Sequence, residues 1–202
     1  EGNTVQMFKK GTTTAEAYTL AFWVKSTKTG TFIAELNDVT NERIISVAYT
    51  VDTTDTWEKK VLNFIADTNG ETIADSNARG MAIYFTVAVG TNFTSGTLNT
   101  IWNDDSGITA NRCVGQVNAA DSTSNNFHLT GVQLEVGTYT ADTIPPFRHE
   151  SYADNLRRCQ RYFYKPTSKF ANAGKSYSLT SIDMEITCTV DFPTQMRTAP
   201  AL

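Results

Sequence analysis

The residues in this chain whose types and spacing could do chemistry are few. Trp102-Asn103-Asp104-Asp105 is the densest such run, an indole beside a planar amide and two carboxylates. Such a set could hold a sugar, because the ring's axial C–H groups stack on a flat apolar surface while amides and carboxylates bond its hydroxyls. The more ordinary role for Trp102 is to pin its own loop onto the body of the protein. Trp23 offers a second indole: it alternates away from the apolar face of its segment, which puts it on an outer sheet surface or beneath a terminal segment. Trp57 opens a strand after Asp55-Thr56 and is expected to pack in the core.

Other chemistries find less support. Glu35 with Asp38, or Asp104 with Asp105, could form a carboxylate pair for glycoside cleavage, but that needs two acids held ~5–9 Å apart in a cleft. His128 and His149 are the two histidines and form no metal-binding pair. No Gly-x-Ser-x-Gly run, phosphate-cradling glycine loop or zinc-protease motif occurs, and no enzymatic activity or cofactor is expected. A structural calcium could draw on Glu135 or Asp38, although no loop carries the dense Asp/Asn alternation such an ion prefers. Cys113, Cys159 and Cys188 are far apart and odd in number, and are expected to be small buried hydrophobes.

The elements that must position these residues read as strands. Thr is abundant and long Ala/Leu/Glu/Lys stretches are absent, which favours the pleated surface over the helix. Residues 17–25 place Tyr18, Leu20, Phe22 and Val24 on one face, which should meet the core. Further strands are expected at 31–36, 44–51 and 57–65, the last with charges at 58–60 that suit an edge. Met81 to Val89 is apolar almost without break, as a strand buried on both faces or central to its sheet would be. The polar stretch from Gly90 to about Thr109 is long enough to suggest a functional loop. Phe127 to Val136 closes the pattern, with Gly131 marking a bulge. Repeated short strands between turn-rich gaps point to an all-β sandwich over residues 1–147.

Beyond Gly137 the character changes. Ile144-Pro145-Pro146-Phe147 must be extended. Residues 152–163 then read as a helix with Tyr152, Leu156, Cys159 and Phe163 on one stripe and Arg157, Arg158 and Arg161 beside it. The stripe could pack on its own sandwich, or Leu156, Cys159 and Phe163 could meet their equivalents about a three-fold axis while Arg157 and Arg161 face neighbouring subunits. Residues 178–192 alternate again as one or two strands that lack evident partners. Opening on Glu1-Gly2-Asn3 without Met, and stopping just after strand-like sequence, the chain is expected to be a piece of something longer.

Two stretches resemble a known family. Thr130-Gly131-Val132-Gln133-Leu134-Glu135-Val136-Gly137, followed by Pro146-Phe147-Arg148-His149-Glu150-Ser151-Tyr152 and Leu156-Arg157-Arg158-Cys159-Gln160-Arg161-Tyr162-Phe163, looks like a module common in tail fibres and related structural proteins of tailed phages. Tyr18 to Lys25 and Asp55 to Lys60 are similar to the same module, so the resemblance spans roughly residues 15–165. It implies a jelly-roll like that of carbohydrate-binding modules over residues 1–147, a helical connector at 148–165, and at 166–202 the start of a C-terminal β-domain that tends to be trimeric. The chain departs from the family by stopping shortly after Pro193 to Arg197. Implied partners are two further copies of the chain, other virion proteins and a host surface polysaccharide; the implied location is the virion, after synthesis in the host cytoplasm. The alternative is a capsid decoration or fibre-shaft module that makes protein contacts alone.

Composition excludes other partners. A net charge of −4 opposes nucleic acid, whose backbone demands clustered Lys and Arg. No run approaches the ~18 apolar residues of a membrane helix.

Overall fold

The structure, a computed structural model, describes residues 1–165, 173–175, 186–188 and 192–199. Two compact units divide it, residues 1–147 and 148–202.

In the first unit, seven strands form two antiparallel sheets. A three-stranded sheet has the order β4 (Glu58–Phe64), β1 (Tyr18–Ser26), β7 (Phe127–Val136). A four-stranded sheet has the order β5 (Met81–Thr86), β2 (Gly30–Asp38), β3 (Arg43–Val51), β6 (Asn103–Asp104). One core joins them. Tyr18, Leu20, Phe22 and Val24 of β1 and Leu62 and Phe64 of β4 meet Phe32, Ala34 and Leu36 of β2 and Ile45, Tyr49 and Val51 of β3. The period-two burial expected for β1 is therefore present, and each such Leu or Phe withdrawn from water contributes ~1.5–3 kcal/mol. Edge-to-face rings knit the middle: Phe22 lies 5.1 Å from Tyr49 and 4.9 Å from Phe85.

Several expectations are corrected. Met81–Thr86 is an edge strand, half-buried, because a second neighbour never arrives on its outer side. The edge position expected for β4 is observed. The polar segment after Gly90 runs on to Val117 against the four-stranded sheet. Ile33 N donates to Gln116 Oε1 (2.8 Å), Ser46 N to the Asn99 carbonyl (2.8 Å) and Val117 N to the Thr31 carbonyl (2.9 Å). That cover explains why Ile33, Glu35, Asn37, Ile44 and Ser46, on the face of β2 and β3 turned away from the core, are buried all the same.

Gly131 does mark a bulge. Ala21 pairs with Gln133 and Trp23 with Thr130, so Gly131 and Val132 together oppose Phe22, and Gly131 has φ +60°. Without a Cβ, glycine takes this left-handed conformation at little cost.

In the second unit, α1 (Tyr152–Gln160) starts at Ser151, whose hydroxyl accepts from Asp154 N (3.2 Å) and donates to Asp154 Oδ2 (2.6 Å). This reciprocal cap fixes the first turn. Phe163, on the expected stripe, lies just past the helix end. Tyr152, Leu156 and Phe163 are 82%, 40% and 74% exposed, and Cys159 is exposed too, against the expectation of a buried thiol. Two short strands, β8 (Ala173–Lys175) and β9 (Ile186–Cys188), pair with one another, so part of the terminal segment finds its partner within the chain. The remaining positions of the alternation expected there, Leu179, Ile182, Met184 and Val190, lie outside the described residues.

Candidate functional site

The outer face of the three-stranded sheet is built from alternate residues of β1, namely Thr19, Ala21, Trp23 and Lys25, flanked by Lys59, Val61 and Asn63 of β4 and by His128 and Thr130 of β7. Half of it is closed by residues 137–147. There Tyr139 N donates to Thr19 Oγ1 (3.0 Å), Asn63 Nδ2 to the Tyr139 carbonyl (3.1 Å) and Gln133 Nε2 to the Pro145 carbonyl (3.0 Å). This strap buries Thr19 and Ala21 and tucks in its own Ile144.

The other half is open. Trp23 and Trp57 are each 43% exposed. Trp23 stands opposite Lys59, so Trp57, two residues earlier in the chain, is its diagonal neighbour, a spacing of about 7–8 Å between Cα atoms. The Trp57 ring lies 6.4 Å from His128, and Lys25 Nζ sits 5.9 Å from its centroid while reaching Asp55 at 3.2 Å. Lys59 Nζ donates to the Ala141 carbonyl at 3.3 Å. Trp57 is thus not the core residue expected, because the inward register of β4 belongs to Leu62 and Phe64. The arrangement offers two partly exposed indoles with ammonium, hydroxyl and imidazole groups around them, the mixture that stacks and orients a sugar.

The tryptophan run singled out in the sequence is built differently. Trp102 is 6% exposed, donates its indole N–H to the Ile65 carbonyl (2.8 Å) and meets the Tyr18 ring edge-on at 6.1 Å. No face of it is free for a ligand, so of its two readings the anchoring one describes the fold. Asp104 caps the following turn, accepting from Ser106 N (2.9 Å) and Oγ (2.6 Å), and these bonds hold its carboxyl below the usual range. Asp105 accepts from Asn37 Nδ2 (3.1 Å), and Asn103 donates to Asn99 Oδ1. These four residues are not brought together with Trp23. Trp57, which joins Trp23, was recognisable as a tryptophan among charged residues, but its outward direction depends on where β4 begins.

Asp38 does not sit in a ligand cage. Its carboxylate takes the ammonium of Lys10 (2.6 Å), which also reaches Asp67 (2.8 Å), and Arg43 grips Asp67 through Nε (2.7 Å) and Nη2 (2.8 Å). The lysine fills the place a bound cation would take. Glu135, on β7, accepts from Gln133 (2.8 Å). Among the described residues no group of three or more His, Cys, Asp or Glu is arranged to hold a metal ion, and no helix is long and apolar enough to cross a membrane.

Compared with known protein families, with curated proteins and with solved structures, the chain matches none of them.

Proposed function

We propose that this chain is a non-enzymatic adhesion module of a phage tail fibre, with a jelly-roll sandwich whose open face recognises a polysaccharide of the host surface. The observation that carries the reading is the presence of two half-exposed tryptophans, Trp23 on β1 and Trp57 just before β4, at the unstrapped half of a sheet. Large exposed indoles are costly to leave in water and mark ligand or partner contacts. The resemblance of residues 15–165 to tail-fibre modules supports the same reading, as does the sandwich architecture. The module acts as a homotrimer on the virion. Leu156 and Cys159 of α1 and Phe163 just beyond it, with Arg157 and Arg161 alongside, meet two symmetry mates, and many copies on one particle offset weak binding at each site.

The exposed stripe of α1 also favours a second reading, a capsid decoration or shaft module that makes protein contacts alone. Glycan-array binding separates the two. Binding by the wild-type chain that is lost in Trp23→Ala and Trp57→Ala, with both variants still folded at the assay temperature, supports adhesion. No binding by any oligomeric form leaves the structural reading, and a monomer in solution contradicts the trimer.

A further inference from the structure

Lys10, Asp38 and Asp67 form a buried group that the glycan face does not use. Their side chains are 1%, 0% and 2% exposed, and the ammonium nitrogen lies 2.6 Å from Asp38 Oδ2 and 2.8 Å from Asp67 Oδ2. The carboxyl carbon of Asp38 lies one C–O bond beyond that oxygen, so nucleophile and electrophile are held as neighbours. The other oxygen, Asp38 Oδ1, accepts two main-chain N–H groups, from Thr40 (3.0 Å) and Asn41 (3.2 Å). Paired amide donors of this kind stabilise the oxyanion of a tetrahedral intermediate. Aromatic rings wall off water: the Trp102 ring centroid is 5.3 Å from the ammonium nitrogen, Tyr18 meets Trp102 edge-on, and Phe8 lies 4.5 Å from Tyr18.

We propose that Lys10 and Asp38 join spontaneously in an intramolecular isopeptide bond, with Asp67 carrying the protons. The reactants are a lysine ammonium and an aspartate carboxylate; the products are one amide and one water. A proton passes from Lys10 Nζ to the Asp38 carboxylate, leaving a neutral amine whose lone pair attacks the carboxyl carbon, and the new C–N bond forms as Oδ1 takes up charge between the amides of Thr40 and Asn41. Asp67 accepts the next proton from nitrogen and returns it to the departing Oδ2, the C–O bond breaks, and water leaves. No oxidant, reductant or further reactant is consumed. Arg43, bidentate on Asp67, keeps that carboxylate ionised and aimed at the nitrogen, which is why Asp38 is the electrophile and Asp67 the carrier. The bond ties the segment before β1 to the end of β2, so that tension entering through the N-terminal side meets a covalent link.

The test is the intact mass of the folded wild-type chain, followed by peptide mapping. The expected mass is one water below the sum of the residues, with a branched peptide joining the Lys10 and Asp38 segments. Lys10→Ala and Asp38→Ala restore the full mass, and Asp67→Asn, checked for folding by circular dichroism, forms the bond at least tenfold more slowly. A folded wild-type chain that keeps its full residue mass after prolonged incubation overturns the proposal. So does a water loss without the branched peptide, which is an aspartate dehydrating on its own backbone. A branch from Lys10 to Asp67 overturns the assignment of roles.

Discussion

Arg112, in the loop that covers the four-stranded sheet, lays its guanidinium against Glu35 of β2 with two hydrogen bonds of 3.0 Å, Nε to Oε1 and Nη2 to Oε2. Glu35 is 2% exposed, so its charge is bearable only while this partner and Ser46, which donates at 3.2 Å, remain. Removing one member of a buried pair strands the other, at a cost of about 3–5 kcal/mol. Arg112→Ala is therefore expected to lower the denaturant midpoint substantially. Adding Glu35→Gln should recover part of that loss, because the stranded group is then neutral.

Trp102→Ala should destabilise the sandwich by about 3–5 kcal/mol, as large aromatic truncations in a core do. Trp102→Phe keeps a ring but leaves the Ile65 carbonyl without its donor, and should cost about 1–3 kcal/mol. Trp23→Ala, at a half-exposed position, should cost only about 1 kcal/mol. Equilibrium unfolding of the three variants ranks them, and equal losses for Trp102→Ala and Trp23→Ala would contradict the burial seen here.

Gly131→Ala should weaken the fold by roughly 1–2 kcal/mol, the cost of forcing an L-residue into left-handed backbone. The added Cβ would also stand 3.3 Å from Trp23 Cδ1, so the bulge substitution should change the tryptophan fluorescence as well as the midpoint. An unchanged emission spectrum would contradict that contact.

Acid should act through Asp67. Burial by itself would raise its carboxyl, but hydrogen bonds from Arg43 and Lys10 outweigh this and hold it below the ordinary value of 3.8. A depressed folded-state value means stability that is fully present above about pH 4 and lost as pH falls through and below it. Asp67→Asn should flatten the fall in unfolding free energy between pH 4 and more acidic conditions. A wild-type curve already flat there would refute the assignment.

Thiol labelling should separate two cysteines. Burial pushes the Cys113 thiol up and leaves it 2% exposed, whereas Cys159 is exposed on α1. In the folded monomer a thiol reagent should reach Cys159 promptly, and Cys113 only after unfolding, as peptide mapping would report; assembly through the α1 stripe should slow the labelling of Cys159.

The alternation of apolar residues determined much of this protein before any contact was known. Tyr18, Leu20, Phe22 and Val24 could occupy only one face of a strand, since successive side chains point to opposite sides. Gly131 interrupted a strand where only a residue free to adopt positive φ fits, and the spacing of Tyr152, Leu156 and Cys159 announced a helix. These are local properties of the chain, carried by neighbours within a few residues.

Which outward-facing positions meet water was decided by segments far away in sequence. Trp102 sits in a polar run yet is buried, because Tyr18 and the Ile65 carbonyl close over it; Trp23 stays open because the strap of residues 137–147 stops at Ala21. Lys10 meets Asp38 and Asp67 across gaps that no periodicity spans. Strand period fixes the direction of a side chain, but burial and reactive contact depend on what the rest of the chain lays against it, and only the folded arrangement of loops over sheets supplies that.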